Sequence, residues 1–183
     1  MAAPNVLTTE LSWTGFLRRA MHPSQMDFEY ATATVAYLLA SPSRVSKLTQ
    51  WHHEIKGRWS RDDPAFVVIL CAFIAVDFVA YGLALSATGL LDVLRHIVLG
   101  LLCFILSGAA AASTTQTIAN VYFPVRHPHS ATQRVEWLYA FDVHCNASFP
   151  AFVLLGVVQF LLLPVLVSTS MVATVLSNSL FLA

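Results

Sequence analysis

The chain has 183 residues, of which 57% are hydrophobic and 11% are charged, and its formal net charge is zero. A soluble domain of this size carries about a quarter charged residues, so the composition excludes an ordinary soluble globular domain. The balanced charge and the lack of a basic tail give no reason to expect DNA or RNA as a partner.

The charged residues are segregated along the chain. Between residues 65 and 118 only Asp77, Asp92 and Arg95 are charged, and no charged residue follows Asp142. Long apolar blocks that alternate with polar stretches are typical of chains that pass between lipid and water. The sequence therefore predicts an all-α, polytopic helical membrane protein with at least three spans.

Residues 1–64 are predicted to form amphipathic helices on the cytosolic side of the membrane. In the first helix, aromatic residues recur at helical spacing beside Arg18 and Arg19, which suits a helix lying among lipid headgroups. A second helix is expected over 26–40. A third is expected to follow with Ser41 as its N-cap and a proline at its first position.

The third of these helices has an apolar stripe and a basic flank. The predicted stripe consists of Val45, Leu48, His52, Ile55 and Trp59. The basic side chains that can face lipid phosphates are Arg44, Lys47, Lys56 and Arg58. Packing of this helix on the rest of the protein explains the pattern equally well, and both explanations can hold together.

A first transmembrane helix is expected over 65–87, which is long enough to cross a bilayer with modest tilt. Arg61, Asp62 and Asp63 stand at its entrance. Asp63 can cap the helix, and the two carboxylates complement the positive end of the helix dipole. Capping is therefore favoured over the alternative, a catalytic pair of acids.

A second transmembrane helix is expected over 94–119, and it contains a run of small residues at 107–113. Small residues let helix backbones approach closely in lipid. Gly82 and Ser86 on the first helix have a matching spacing, so the sequence predicts tight packing between the first and second spans.

The remaining chain is predicted to contain a polar loop, a third span and part of a fourth. The loop covers 120–147, the third span 149–167, and the last apolar segment 171–183, which is too short to cross a bilayer. Lys and Arg residues precede the first span and occur in the 120–147 loop, whereas 88–93 has none. The positive-inside rule therefore places the N-terminus and this loop in the cytosol.

Asp77 lies near the middle of the first span, where an ionised carboxylate costs about 2.5–3.5 kcal/mol. Such a residue is a candidate for a proton or substrate relay. A neutral acid that is hydrogen-bonded at a helix interface is the favoured explanation, with Tyr81, Cys103 or Ser107 as its partner.

A polar and aromatic cluster leads into the third span. Its candidate functional residues are Glu136, Trp137, Tyr139, Asp142, His144 and Asn146. The aromatic members are typical of an interfacial belt. If the stretch is helical, Asp142 and Asn146 share one face while His144 points roughly the opposite way. No zinc-protease motif, nucleophile elbow or phosphate loop is present, so no metal, cofactor or catalytic residue is predicted.

Several short motifs become distinctive when they are taken in order. They are Arg18-Arg19, Gln25-Met26-Asp27-Phe28-Glu29-Tyr30, Ser41-Pro42, Arg61-Asp62-Asp63-Pro64-Ala65-Phe66 and residues 136–150. In order and spacing, from about residue 16 to the C-terminus, they resemble the Unc-fifty (uncoordinated-fifty) family of Golgi multi-pass membrane proteins. Within these motifs, the acids Asp27 and Glu29 are candidates for partner contacts or structural roles.

The resemblance implies a non-enzymatic protein of the Golgi membrane, and also of the ER or nuclear membrane. It implies a role in vesicle-mediated protein transport and in delivery of receptors to the cell surface. The implied partners are large Arf-type exchange factors, coat machinery and membrane cargo receptors. The family has no established catalytic residues, so none is carried over. Its members have further spans, so this chain is expected to be truncated within the fourth.

The leading hypothesis is a platform, formed by the N-terminal helices and the 120–147 loop, that recruits Arf or coat machinery. The alternative is a small membrane enzyme or transporter that uses Asp77, Asp142 and His144.

Overall fold

A computed structural model describes residues 13–57, 59–61, 63–85, 89–123, 134–166 and 170–182. Every regular element in these ranges is helical, which confirms the all-α class. Three of the described helices are long and apolar enough to cross a membrane, namely Ala65–Ala84, Leu90–Tyr122 and Trp137–Leu161. The helices are α1 Trp13–Ala20, α2 Phe28–Ala40, α3 Pro42–Lys56, α4 Ala65–Ala84, α5 Leu90–Tyr122, α6 Trp137–Leu161, α7 Leu163–Leu166 and α8 Met171–Leu182.

Local signals account for the ends of the N-terminal helices. The Asp27 carboxylate accepts the backbone N–H of Tyr30 at 2.9 Å and so caps α2. Ser41 holds the N-cap position of α3, with a proline next, yet its side chain makes no cap bond to the backbone. Gly57, with a φ of 69°, ends α3 in the left-handed conformation that glycine adopts most easily.

The apolar stripe predicted for α3 is not continuous in the structure. Val45 is buried, but Ile55 is 62% exposed. Ten residues turn an α-helix by about 1,000°, which leaves Ile55 roughly 80° away from Val45 around the axis. The helix packs on α2, and its C-terminal apolar side chains face outward.

The first two spanning helices lie where the hydropathy places them, with different ends. α4 begins at Ala65, as predicted, and ends at Ala84. α5 has 33 residues and covers Leu90–Tyr122, beyond both predicted ends. At 1.5 Å per residue α5 is about 50 Å long, which exceeds the hydrocarbon core, so part of it must lie in the headgroup region or in water.

The third spanning helix begins at Trp137, twelve residues before the predicted start at 149. Pro150 lies inside this helix instead of at its first turn. Proline is tolerated inside membrane helices when local adjustments or neighbours satisfy the carbonyl groups that it leaves free. Hydropathy did not show the early start because the first turns of α6 carry polar residues.

A wide turn of π-helix, Val153–Val158, begins three residues after Pro150. The Tyr81 hydroxyl of α4 is 3.4 Å from the Leu155 carbonyl oxygen and 3.3 Å from that of Gly156. It can therefore donate to either carbonyl. A π-turn inside an α-helix is uncommon and frequently marks a functional site.

The three spanning helices pack together, and the predicted tight packing of α4 on α5 is confirmed. Gly108 of the small-residue run, however, faces α6 and not α4. A Cβ added at Gly108 would lie 2.8 Å from the His144 ring and 2.9 Å from the Phe141 ring, both on α6. The close approach between α4 and α5 is at Gly100, where a Cβ would lie 2.1 Å from Phe78. The run of small residues therefore accommodates aromatic rings of the third span.

The N-terminal helices cover one end of the three-helix bundle. α2 contacts both α4 and α6, and α3 packs on α2. Ala31 and Thr34 of α2 are each 1% exposed, and Phe66, in the first turn of α4, is 2% exposed. The buried core thus continues from the spans into the N-terminal helices, near the loop that contains Arg61.

Candidate functional site

Arg61 lies between α3 and α4 and is 8% exposed. Its backbone N–H donates to the Asp142 carboxylate at 2.8 Å, and its guanidinium Nη2 donates to the Asn146 side-chain oxygen. The guanidinium also lies over the Phe66 ring, 4.5 Å from its centre. Asp142 and Asn146 therefore share one face of α6, as helical spacing predicts, and that face holds the arginine.

Two further residues extend this contact across the same surface. The Ser60 hydroxyl, in a residue that is 2% exposed, donates to Glu136 at 2.7 Å. Tyr30 of α2 lies close enough to Arg61 and Asp142 to feel their charges. The group is called the Arg61 cluster below. Its members are Tyr30, Ser60, Arg61, Glu136, Asp142 and Asn146.

Burial and nearby charges keep the Tyr30 side chain of the Arg61 cluster neutral. Burial raises the pKa of Tyr30, and the negative charges of Asp142 and Asp27 raise it further. The positive charge of Arg61 partly offsets these effects. Because a tyrosine already titrates near pH 10, Tyr30 stays protonated at any cellular pH.

Asp63 connects the start of α2 to the start of α4. Its carboxylate accepts the Ala65 N–H at 2.9 Å and also accepts the backbone N–H of Asp27. The acid therefore serves two helix starts at once, which supports capping rather than catalysis. Glu29 is exposed in the first turn of α2, and Asp62 lies outside the described residues.

The other candidates of the 136–146 block face different neighbours. Trp137 donates from Nε1 to the Ser113 hydroxyl of α5 at 3.0 Å. Tyr139 packs against the Trp59 ring at 5.9 Å between centres. His144 packs against α5 beside Gly108, away from the Arg61 cluster. The aromatic residues Trp137 and Tyr139 therefore join separate parts of the chain inside the protein.

Some residues that join the helices were not found from the sequence. The Asn120 side chain accepts the Val135 N–H at 2.8 Å and donates to the Val135 carbonyl at 3.1 Å. Gln116 donates to the same carbonyl at 3.3 Å. The sequence did carry one indication, since Gln116 and Asn120 are amides near the end of an apolar helix. Polar side chains among apolar ones need hydrogen-bond partners.

The contacts of the Arg61 cluster connect separate parts of the chain. Nη1 of Arg61 is buried and has no hydrogen-bond partner among the described residues. In the same part of the chain, no three His, Cys, Asp or Glu side chains come together as metal ligands. The cluster joins the buried Arg61 cation, which lies between α3 and α4, to the first turns of α6.

Asp77 lies away from the Arg61 cluster, in a mostly apolar groove. It lines a groove of about 300 Å³ between α4 and α6, with Phe104 of α5 also contributing. Gly156 of the π-turn lies beside the carboxylate, where an added Cβ would be 3.1 Å from both oxygens. The expected partners Tyr81, Cys103 and Ser107 make no described hydrogen bond to it, since Tyr81 donates to α6 and Ser107 to Phe104.

Comparison with known proteins gives one consistent family. The sequence model of the UNC-50 family matches residues 16–183. A protein named unc-50 homolog from Dictyostelium discoideum is 43% identical over 169 residues, which are 91% of this chain and 65% of that protein. The human unc-50 homolog is 34% identical over 91% of this chain and 64% of its own length.

The zebrafish (Danio rerio) unc-50 homolog is 35% identical over 79% of this chain and 55% of its own length. No solved structure matches the chain. The chain thus spans somewhat less than two thirds of the length of these curated relatives. The family match covers the Arg61 cluster, the three spanning helices and most of the N-terminal region. The chain belongs to the UNC-50 family.

Proposed function

We propose that this protein is a non-enzymatic Golgi and ER membrane protein that supports vesicle-mediated protein transport and receptor delivery. It acts by recruiting cytosolic machinery, namely large Arf-type exchange factors or coat components, to a platform formed by its N-terminal helices. Membership of the UNC-50 family and the three spanning helices support the membrane setting. The excess of Lys and Arg before the first span supports a cytosolic N-terminus.

The outward face of α3 is the observation that carries the proposal. Trp51 is 59% exposed and Ile55, one turn further along, is 62% exposed. Arg44 and Lys47 are also exposed, and helical spacing places all four on one side of α3. Exposed tryptophan beside basic residues is typical of surfaces that bind partners, because aromatic anchors and cations supply most of the energy of many interfaces.

The Arg61 cluster explains how such a platform keeps its position. It fixes the loop between α3 and α4 to α6 through Asp142 and Asn146. The Arg44 guanidinium also lies 5.6 Å from the centre of the Tyr37 ring on α2, which joins α3 to its neighbour. A surface held in this way loses little conformational entropy when a partner binds.

The proposal is tested with a variant of the outward face, Lys47→Glu combined with Trp51→Ala. The matched control is Ser46→Ala combined with Gln50→Ala, which changes exposed positions on a different side of the same helix. Golgi residence is measured by imaging, and recruitment by co-isolation of a large Arf exchange factor.

We expect the outward-face variant to recruit at least about tenfold less partner than the control, because it loses an aromatic anchor and reverses a charge. Both variants should melt at the same temperature as the unmodified protein. If the outward-face variant recruits the exchange factor normally and stays in the Golgi, the platform is not on α3.

The three acids and bases of the alternative enzyme or transporter lie in different surroundings. Asp142 bonds to Arg61, His144 packs against α5, and Asp77 lines the groove beside α6. The structure does not gather them around one space where a substrate could contact all three. The described geometry therefore favours the platform over a reaction centre.

A further inference from the structure

The groove beside Asp77 is a shaped space in the middle of the spanning helices. Its walls are mostly apolar and include Ile74 of α4, Phe104 of α5 and Phe152 of α6. Two polar residues mark its ends, Asp77 beside Gly156 and Ser148 two turns earlier on α6. Eight residues of helix separate Ser148 from Gly156, so the groove is roughly 12 Å long.

At one end of the groove the Asp77 carboxyl group lies beside Gly156. The residue lies twelve positions into α4, or about 18 Å along its axis, which is deep in the hydrocarbon core. Gly156 leaves room for both carboxylate oxygens, since a Cβ there would lie 3.1 Å from each. No described residue donates a hydrogen bond to this carboxylate.

The other polar groups around the groove are already engaged. The Tyr81 hydroxyl donates to the carbonyl groups of the π-turn, and the Ser148 hydroxyl donates to the His144 carbonyl at 2.8 Å. The π-turn contains Gly156, the residue that Asp77 faces. Asp77 is thus the one lining carboxylate in a site with otherwise satisfied polar groups.

The chemistry of the ligand follows from these walls. The groove reaches the lipid-facing surface, because Ala151 is exposed and Leu155 is 37% exposed at its margin. A molecule that enters from the bilayer must itself be apolar along most of its length. A primary amine can take the proton of the Asp77 carboxyl group, and the resulting ammonium supplies the opposite charge and three hydrogen-bond donors. An anionic head can form no such pair.

We propose that this groove binds a long-chain primary amine from the membrane, with the ammonium group on the Asp77 carboxylate and the chain lying along the apolar wall towards Ser148. The site is separate from the outward face of α3, so either proposal can fail without the other. The carboxylate at one end of the groove defines the class of the ligand. The apolar wall along the rest of the groove defines the ligand's orientation.

The test uses the full chain in nanodiscs of neutral phosphatidylcholine and a photoreactive dodecylamine with a diazirine in its chain. Labelled peptides are identified by mass spectrometry. Labelling should fall on α4 and α6 at the groove, and excess dodecylamine should compete while dodecanol and dodecanoate should not. The Asp77→Asn variant should lose at least about tenfold of the labelling, the equivalent of about 1.4 kcal/mol.

Two further variants keep the test decisive. Leu155→Trp fills the groove from its exposed margin while leaving the carboxylate in place, and it should also abolish labelling. Asp92→Asn removes an acid of α5 that does not line the groove, and it should leave labelling unchanged. Equal competition by dodecanol, or full labelling of the Asp77→Asn and Leu155→Trp variants, would overturn the proposal.

Discussion

Replacement of Asp142 by alanine should strongly destabilise the protein, because Asp142 is 6% exposed and accepts the backbone N–H of Arg61 at 2.8 Å. A hydrogen bond to a charged group contributes about 1.5–3 kcal/mol. The substitution also removes a negative charge that interacts with the buried Arg61 cation, which raises the expected cost to about 3–5 kcal/mol.

The assay is thermal unfolding of the purified protein in detergent, followed by tryptophan fluorescence. For a chain of this size each kcal/mol lowers the melting temperature by about 2–4 °C, so Asp142→Ala should melt roughly 6–20 °C lower. Asp142→Asn keeps an oxygen that can accept the Arg61 N–H and should lose less. The control is Glu54→Ala, an exposed acid of α3, which should change stability by less than about 0.5 kcal/mol.

The comparison between the two Asp142 variants separates hydrogen bonding from charge. If asparagine is as destabilising as alanine, the negative charge beside Arg61 is the larger contribution. If Asp142→Ala melts within 2 °C of the unmodified protein, about the effect of 0.5–1 kcal/mol, the Arg61 cluster does not hold the N-terminal helices on α6, and the reasoning is wrong.

Two more predictions concern helix packing. Gly108→Leu should cost about 1–3 kcal/mol by forcing α5 away from α6. The control is Gly15→Ala in α1, which has open space around it and should not lower the melting temperature. Equal melting temperatures of the two variants in thermal unfolding would contradict the close approach. Asn120→Ala should speed hydrogen exchange at the Val135 amide at least about tenfold, because that N–H loses its acceptor, and unchanged exchange would mean that another group accepts it.

The class of the fold could be predicted from the sequence because lipid imposes strong constraints on composition and length. α4 begins at the predicted residue, since a capping acid and a proline precede an apolar run that continues to Val76. The start of α6 could not be predicted in this way. Its first turns carry Asp142 and Asn146, and hydropathy does not reveal that these side chains are satisfied by Arg61.

The candidate site was predicted residue by residue but not as a group. Two of the motifs supplied Arg61, Asp142 and Asn146 as candidates. Tyr30 ends another motif but was not a candidate, and Ser60 lies outside the motifs. Helical periodicity tells which residues share a face, but it does not tell which other helix that face meets. The same limit explains why the small residues around Gly108 were assigned to the wrong neighbour.

The separation between Arg61 and Asp142 has a consequence for biosynthesis. The two residues are 81 positions apart, and α4, α5 and the segment between α5 and α6 lie between them. A ribosome therefore completes Arg61 and two spans before it makes the groups that hold this cation. Until α6 inserts, Arg61 lacks its acceptors Asp142 and Asn146, although α2 can already pack on α4. The burial of Arg61 thus requires the third span, and it distinguishes the packed bundle from a chain in which two spans have inserted.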